Sequence, residues 1–353
     1  MDHKHTLEQL LGDVIKQGGS DLHLSDGRHP MVRINGDLIP MNSYEVFDEK
    51  TMSGVLNVMI SPEFKKEFEA NKELDFSYAF KDLGRFRGNA FIQQGRVGVV
   101  LRLISNALRT VQELNLPPIL ETFARRKQGF FLVVGPVGQG KSTTLAAMIE
   151  LINRERAEHI ITIENPIEYI YTPKKSIVDQ REVRIDTHDF DKALLGTFRQ
   201  DVDVILVGEM RGKETIAAAV TAAETGHLVF STLHTNNASQ TIDRIIDSFP
   251  GDQQDQIRVQ LSSSLIGIFS QRLIPRISGG MVPAYELLIN NNAVANLIRE
   301  KRTFEIDTVI ETGSEHGMID MNRTLADLVR RGEITAENAY IHSFRPEMLE
   351  RLI

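Results

Sequence analysis

Leu7, Leu10, Leu11, Val14 and Ile15 recur at the spacing of one helical face, and Gly18-Gly19 ends it. Asp21-Leu22-His23-Leu24 then alternates polar and apolar like a half-buried strand. Val32-Arg33-Ile34 and Leu38-Ile39 flank Asn35-Gly36, which predicts a tight hairpin. A helical stretch follows from Met52 to Ile60. Pro62 to Glu69 reads as a charged, solvated amphipathic helix, with an interface role as the alternative. Arg85 to Phe91 and Val97 to Ile104 are two further strand candidates joined at a Gln-Gln-Gly turn. Residues 1–105 therefore read as an α+β module. Ser105-Asn106 and Leu116-Pro117-Pro118 break the pattern, so 106–118 is expected to be a linker.

From 119 to 285 apolar runs alternate with helices, the pattern of an α/β fold with a mostly parallel sheet. Residues 286–353 read as helices. Leu325, Leu328 and Val329 mark one of them, and Arg330-Arg331-Gly332 suits its end.

Four apolar runs in 119–285 end in polar groups. Phe131-Leu132-Val133-Val134 runs into Gly135-Pro136-Val137-Gly138-Gln139-Gly140-Lys141-Ser142, followed by Thr143. This fits the phosphate-loop pattern of Gly, four residues and Gly-Lys-Ser/Thr. Leu145, Met148, Ile149 and Ile152 behind it predict a helix. A helix N-terminus lined with backbone N–H groups favours an anion. Lys141 can reach β- and γ-phosphates, and the Ser142 hydroxyl can join a Mg²⁺ shell. Ile160 to Ile163 ends in Glu164, and Val204 to Val207 ends in Gly208-Glu209. Leu228-Val229-Phe230 ends in Ser231-Thr232-Leu233-His234. In open α/β sheets ligands bind beyond the carboxyl ends of the strands, so these termini should gather around one nucleotide. Glu164 is the candidate to polarise an attacking water, and Glu209 to join the Mg²⁺ shell or share that work. His227 and His234 bracket one strand. Each is a candidate γ-phosphate sensor, or a link from the nucleotide to a neighbouring subunit.

Composition narrows the picture. The 353 residues carry a net charge of -8, with 41% apolar and 25% charged side chains, so the chain can bury a core. No basic patch stands out, which argues against nucleic acid as the main partner. No apolar run nears the length of a membrane span, and the N-terminus is no signal peptide. There is no cysteine, which excludes disulfides, thiol chemistry and cysteine-bound zinc.

Beyond the phosphate loop, three segments resemble the type II/IV secretion ATPase superfamily: Ile161 to Tyr169, Arg199 to Arg211 and Thr225 to His234. Within it the match is to the PilT/PilU group of type IV pilus retraction motors, and it runs over nearly the whole chain. Gly19 to Leu24, Arg33 to Leu38, Gly84 to Phe91, Ile242 to Pro250 and Ala293 to Glu300 fit as well. The resemblance implies a PAS-like N-terminal domain, a RecA-like ATPase core and a homohexamer with ATP between subunits. It implies that Arg87 and Arg102, with Arg85 and Arg96 competing, present cations to the neighbour's nucleotide. It implies pilus retraction from the cytoplasmic side of the inner membrane. There the ring would contact the membrane only through partners: a platform protein, and a paralogous pilus ATPase as a further candidate. Asn165, Val202, Gly212 and Ala295 depart from the family pattern. Asn165 and Ala295 leave open an accessory ring protein that hydrolyses weakly. A third reading is an extension or secretion ATPase without its four-cysteine zinc element.

Overall fold

The computed structural model describes residues 2–34, 36–81, 83–104, 108–210 and 212–353. The Asn35 half of the expected hairpin turn, the Ser105-Asn106 break and Arg211 lie outside the described residues. The chain divides into two compact units between residues 107 and 108.

The first unit contains α1 (His3–Lys16), β1 (Asp21–Ser25), β2 (Met31–Ile34), β3 (Asp37–Pro40), α2 (Glu49–Met59), α3 (Pro62–Asn71), β4 (Glu73–Phe80), β5 (Gly84–Gln93) and β6 (Arg96–Ile104). Asp2 caps α1 and Gly18 follows its end at φ +67°. The strands form one antiparallel sheet, ordered β3-β2-β1-β6-β5-β4. The β5–β6 hairpin closes over Gln94 and Gly95, both at positive φ. That is the geometry a two-residue turn needs to match strand twist. Leu7, Leu10, Val14, Met52, Val55, Leu22, Phe86 and Leu101 share a core between the sheet and its helices. Strand β4 was not anticipated, although Leu74, Phe76, Tyr78 and Phe80 alternate with Glu73, Asp75, Ser77 and Ala79 as a half-buried strand does.

The second unit begins with α4 (Ile119–Ala124), β7 (Gly129–Val134), α5 (Lys141–Glu155), β8 (His159–Glu164), β9 (Ile177–Glu182), α6 (Phe190–Thr197), β10 (Val204–Val207), α7 (Lys213–Glu224) and β11 (Leu228–Leu233). It continues through α8 (Ala238–Asp247), α9 (Gly251–Ser264), β12 (Leu265–Pro275), β13 (Met281–Ile289), α10 (Asn292–Arg299), α11 (Ile306–Thr312), α12 (Met321–Arg330), α13 (Ala336–His342) and α14 (Pro346–Glu350). The sheet order is β13-β12-β7-β11-β10-β8-β9, parallel except for β13 at one edge. Alternate residues of the buried strands face opposite layers. Leu132 and Val134 join the core under α6 to α9, while Phe131 and Val133 join the core under α5. This two-sided burial is why these strands read as continuous apolar runs.

Residues 108–118 are no free connector. Val111 and Leu116 are buried in the second unit's core. Strand structure also continues past 285, to Ile289. Helices α12 to α14 close a smaller core over β12 and β13.

Candidate functional site

The phosphate loop leaves β7 at Gly135, whose φ is +144°. A side-chain carbon there would meet Gln271 O at 2.5 Å, so only glycine fits. Gly138 and Gly140 also adopt positive φ and turn the chain into α5. Strand β12 braces the loop from the side. Gln271 Nε2 donates to Gln139 O at 2.7 Å, and Leu273 N donates to Gln139 Oε1 at 2.7 Å. Thr144 Oγ1 donates to Gln271 Oε1 at 2.6 Å. Gln139 therefore shapes the loop through its side chain, while Pro136 contributes a carbonyl and Val137 projects as an exposed tip.

Lys141 opens α5 and turns back over the loop. Its Nζ donates to Gly135 O and Pro136 O, both at 2.8 Å, and lies 3.3 Å from His234 Nδ1. Burial lowers its pKa to about 8. Ser142 sits half-buried beside it, and Thr143 Oγ1 lies 2.8 Å from Tyr169 OH.

Three strand ends come together around this loop. Gly208 N donates to Ile163 O at 2.8 Å, which sets Glu164 and Glu209 at the ends of adjacent strands. Thr232 Oγ1 donates to Gly208 O at 2.6 Å and ties β11 to the same place. His234, just past β11, has its Nε2 3.9 Å from Glu209 Oε2. Lys141, His234 and Glu209 thus form one contiguous polar chain.

Glu164 differs from Glu209 in burial. Only 8% of it is exposed. Thr162 Oγ1 donates to its Oε1 at 2.7 Å and Glu168 N to its Oε2 at 3.3 Å. Burial raises its pKa to about 7 against those two bonds. A carboxyl group titrating near neutrality suits proton transfer. Glu168, which the sequence reading did not single out, acts electrostatically on both Lys141 and Glu164.

His227 does not belong with these groups. It precedes β11, at the opposite end of the sheet from the loop, about 20 Å of strand away. Its Nδ1 lies 2.9 Å from Ala222 O, and its ring packs on Phe198. It holds the end of α7 and cannot touch a nucleotide on its own unit's loop. The strand was located correctly from sequence, but its two flanking histidines necessarily fall at opposite ends of it.

Arg87 and Arg102 lie in the first unit. They face each other across β5 and β6 in a row that continues through Asp21 and Arg33. Arg102 Nε donates to Asp21 Oδ1 at 2.9 Å. Arg87 is exposed and has no ion-pair partner among the described residues.

Behind the loop a cavity of about 250 Å³ is lined by Arg109, Leu114, Thr143, Leu273, Met281 and Pro283, among others. Its mixed apolar and polar walls suit a heterocyclic base. The Ser142 hydroxyl and the Glu209 carboxylate are hard oxygen donors that fit Mg²⁺. That ion takes one or two protein ligands and completes its shell with water and phosphate. When bound, it withdraws charge from the β- and γ-phosphates.

A phosphate loop at the end of a central parallel strand, flanked by two carboxylates and a histidine, defines a P-loop nucleotide-binding core of the ATPase kind. Known proteins agree. The family of type II/IV secretion system proteins matches residues 3–303. The type IV pilus retractation ATPase PilT of Pseudomonas aeruginosa is 44% identical over 341 residues, 97% of this chain and 99% of that protein. The type IV pilus ATPase PilU of the same organism is 42% identical over 337 residues, 95% of this chain and 88% of that protein. A crystal structure of the pilus retraction motor PilT with bound ADP has a TM-score of 0.91 at 46% identity, covering 98% of each chain. The chain belongs to the type II/IV secretion ATPase family, in its PilT-type branch.

Proposed function

We propose that this chain is a pilus retraction motor that hydrolyses ATP as a homohexamer. The observation that supports the hydrolysis most directly is the contiguity of Lys141, His234 and Glu209 at the strand ends, beside buried Glu164, and the retraction role is supported by the likeness to PilT. Lys141 leaves the loop carbonyls to neutralise the β- and γ-phosphates, and the loop amides hold the phosphate chain. Ser142 and Glu209 hold Mg²⁺. Glu164 orients the attacking water and takes its proton. His234 bridges Lys141 and Glu209, so a change at the γ-phosphate reaches both. The base occupies the cavity beside Thr143 and Leu273. Arg87 and Arg102 of a neighbouring subunit supply the cationic help that such a transition state needs. ATP then holds two subunits together and hydrolysis releases them, which is how order at a phosphate becomes motion.

No described helix is long and apolar enough to cross a membrane. We place the ring on the cytoplasmic face of the inner membrane, attached through a platform protein of the pilus machine, with a paralogous pilus ATPase as a further partner. Steady-state ATP turnover of the purified chain, set against Lys141→Ala, tests the enzymatic claim. Equal turnover in both would refute it. Loss of the gene should abolish retraction and leave surplus surface pili. Loss of all pili would point instead to an extension ATPase.

A further inference from the structure

Arg272 lies on β12, two residues past Ser270, which is level with Val134 at the end of β7. Only 6% of it is exposed. A side-chain carbon built on Gly135 would stand 3.2 Å from its Nη1, so the guanidinium lies against the first residue of the phosphate loop. On the other side Nη2 donates to Asn236 Oδ1 at 2.9 Å, two residues after His234. Ser270 Oγ donates to Asn236 O at 2.6 Å, and Ala238 N donates to Glu286 Oε1 at 2.9 Å. The turn that carries His234 is therefore held from β12 and β13. Phe344, from the C-terminal segment, lies over the guanidinium with its ring centre 5.2 Å away.

This is an expensive way to fill the space. Arg272 has no carboxylate in ion-pair contact among the described residues. Its hydrogen-bond acceptors are Gln271 O, Asn236 O and Asn236 Oδ1, all neutral, Phe344 lies over it, and the buried Glu286 carboxyl acts on it only beyond ion-pair distance. An apolar side chain of similar length would avoid burying the charge, at the cost of leaving Asn236 Oδ1 without this donor. What the planar fork adds is direction, because it binds the turn at one edge while Phe344 covers it.

We propose that Arg272 is a positioning residue for hydrolysis. It couples the phosphate loop to the His234 turn, with Phe344 holding its plane, so the C-terminal segment is connected to the nucleotide end of the sheet. The inference rests on the ATPase reading of the site.

The test uses the full chain with Arg272→Met, Arg272→Lys, His234→Asn and the Arg272→Met/His234→Asn pair. Arg272→Met should fold, because the relief of a buried charge offsets most of the hydrogen bond lost at Asn236. It should lower kcat on the order of 10–100-fold, the effect of misplacing a catalytic group by about 1 Å, with KM for ATP within about threefold. Arg272→Lys should not restore kcat, since it keeps the charge without the fork. The double variant should be no slower than the slower single variant, because both act on one element. Hydrogen exchange of the nucleotide-free protein should accelerate in residues 234–240 of Arg272→Met and stay unchanged in β7. That readout needs no turnover, so an inactive parent would overturn the ATPase reading and leave this inference to the exchange data. Multiplicative kcat losses, rescue by lysine, or unchanged exchange at 234–240 would overturn the coupling.

Discussion

Glu164→Gln separates the chemistry of the site from its stability, in opposite directions. Burial raises the Glu164 pKa from the ordinary 4.5 to about 7. The folded chain then binds this proton more tightly than the unfolded chain. The stability this gives is fully present below pH 4.5 and is lost as pH rises through 7. At about 1.4 kcal/mol per pH unit, the whole effect is on the order of 3 kcal/mol. Roughly 2 kcal/mol of it remains at pH 5.5, and essentially none at pH 8.5. Glutamine never ionises, so it escapes that loss. Its one amide oxygen can accept the Glu168 N–H only with its NH2 turned to Thr162 Oγ1, a rearrangement that costs about 1 kcal/mol at either pH. Relative to the parent, Glu164→Gln should therefore gain about 2 kcal/mol between pH 5.5 and 8.5. Denaturant unfolding followed by circular dichroism at the two pH values reads this difference. Titrating groups remote from Glu164 cancel, since both proteins share them. In the same samples ATP binding should persist while turnover falls about 100-fold or more, the size of a lost proton acceptor. A stability difference independent of pH would refute the buried, uphill carboxylate. Lost ATP binding would make Glu164 structural instead.

Lys141→Ala should lose both nucleotide retention and turnover, measured by filter binding of labelled ATP. Retention at the parental level would exclude the loop as the phosphate site. Gly135→Ala drives a side-chain carbon to 2.5 Å from Gln271 O and should displace the loop. ATP affinity should drop at least tenfold, about 1.4 kcal/mol, read by titration calorimetry. Arg87→Ala should impair turnover only in the assembled ring. Equal impairment in a monomeric form would rule out a cation acting between subunits.

Much of the site was legible in the sequence because its signals are local. The phosphate loop is eight consecutive residues with a strand before and a helix behind. Glu164, Glu209 and His234 each terminate an apolar run, and in a parallel sheet such ends share one edge. His227 misled for a related reason. Proximity in sequence to His234 looked like proximity in space, but six extended residues separate the two. Strand β12 was missed because Ser270, Gln271 and Arg272 break its apolar pattern, and those residues brace the loop and the His234 turn. Residues 108–118 looked like a linker because prolines stop regular structure without preventing burial.

The chain by itself determined most of the elements, the mostly parallel arrangement of the second unit and the chemistry of its strand ends, because periodicity and turn residues act over a few positions. Tertiary structure alone decided what each polar group experiences. It buried Glu164 to 8% exposure, set Lys141 against His234, and slid a polar strand beside the phosphate loop. Desolvation and contact depend on segments more than a hundred residues apart, such as Thr144 and Gln271, and no local pattern encodes which of them will meet.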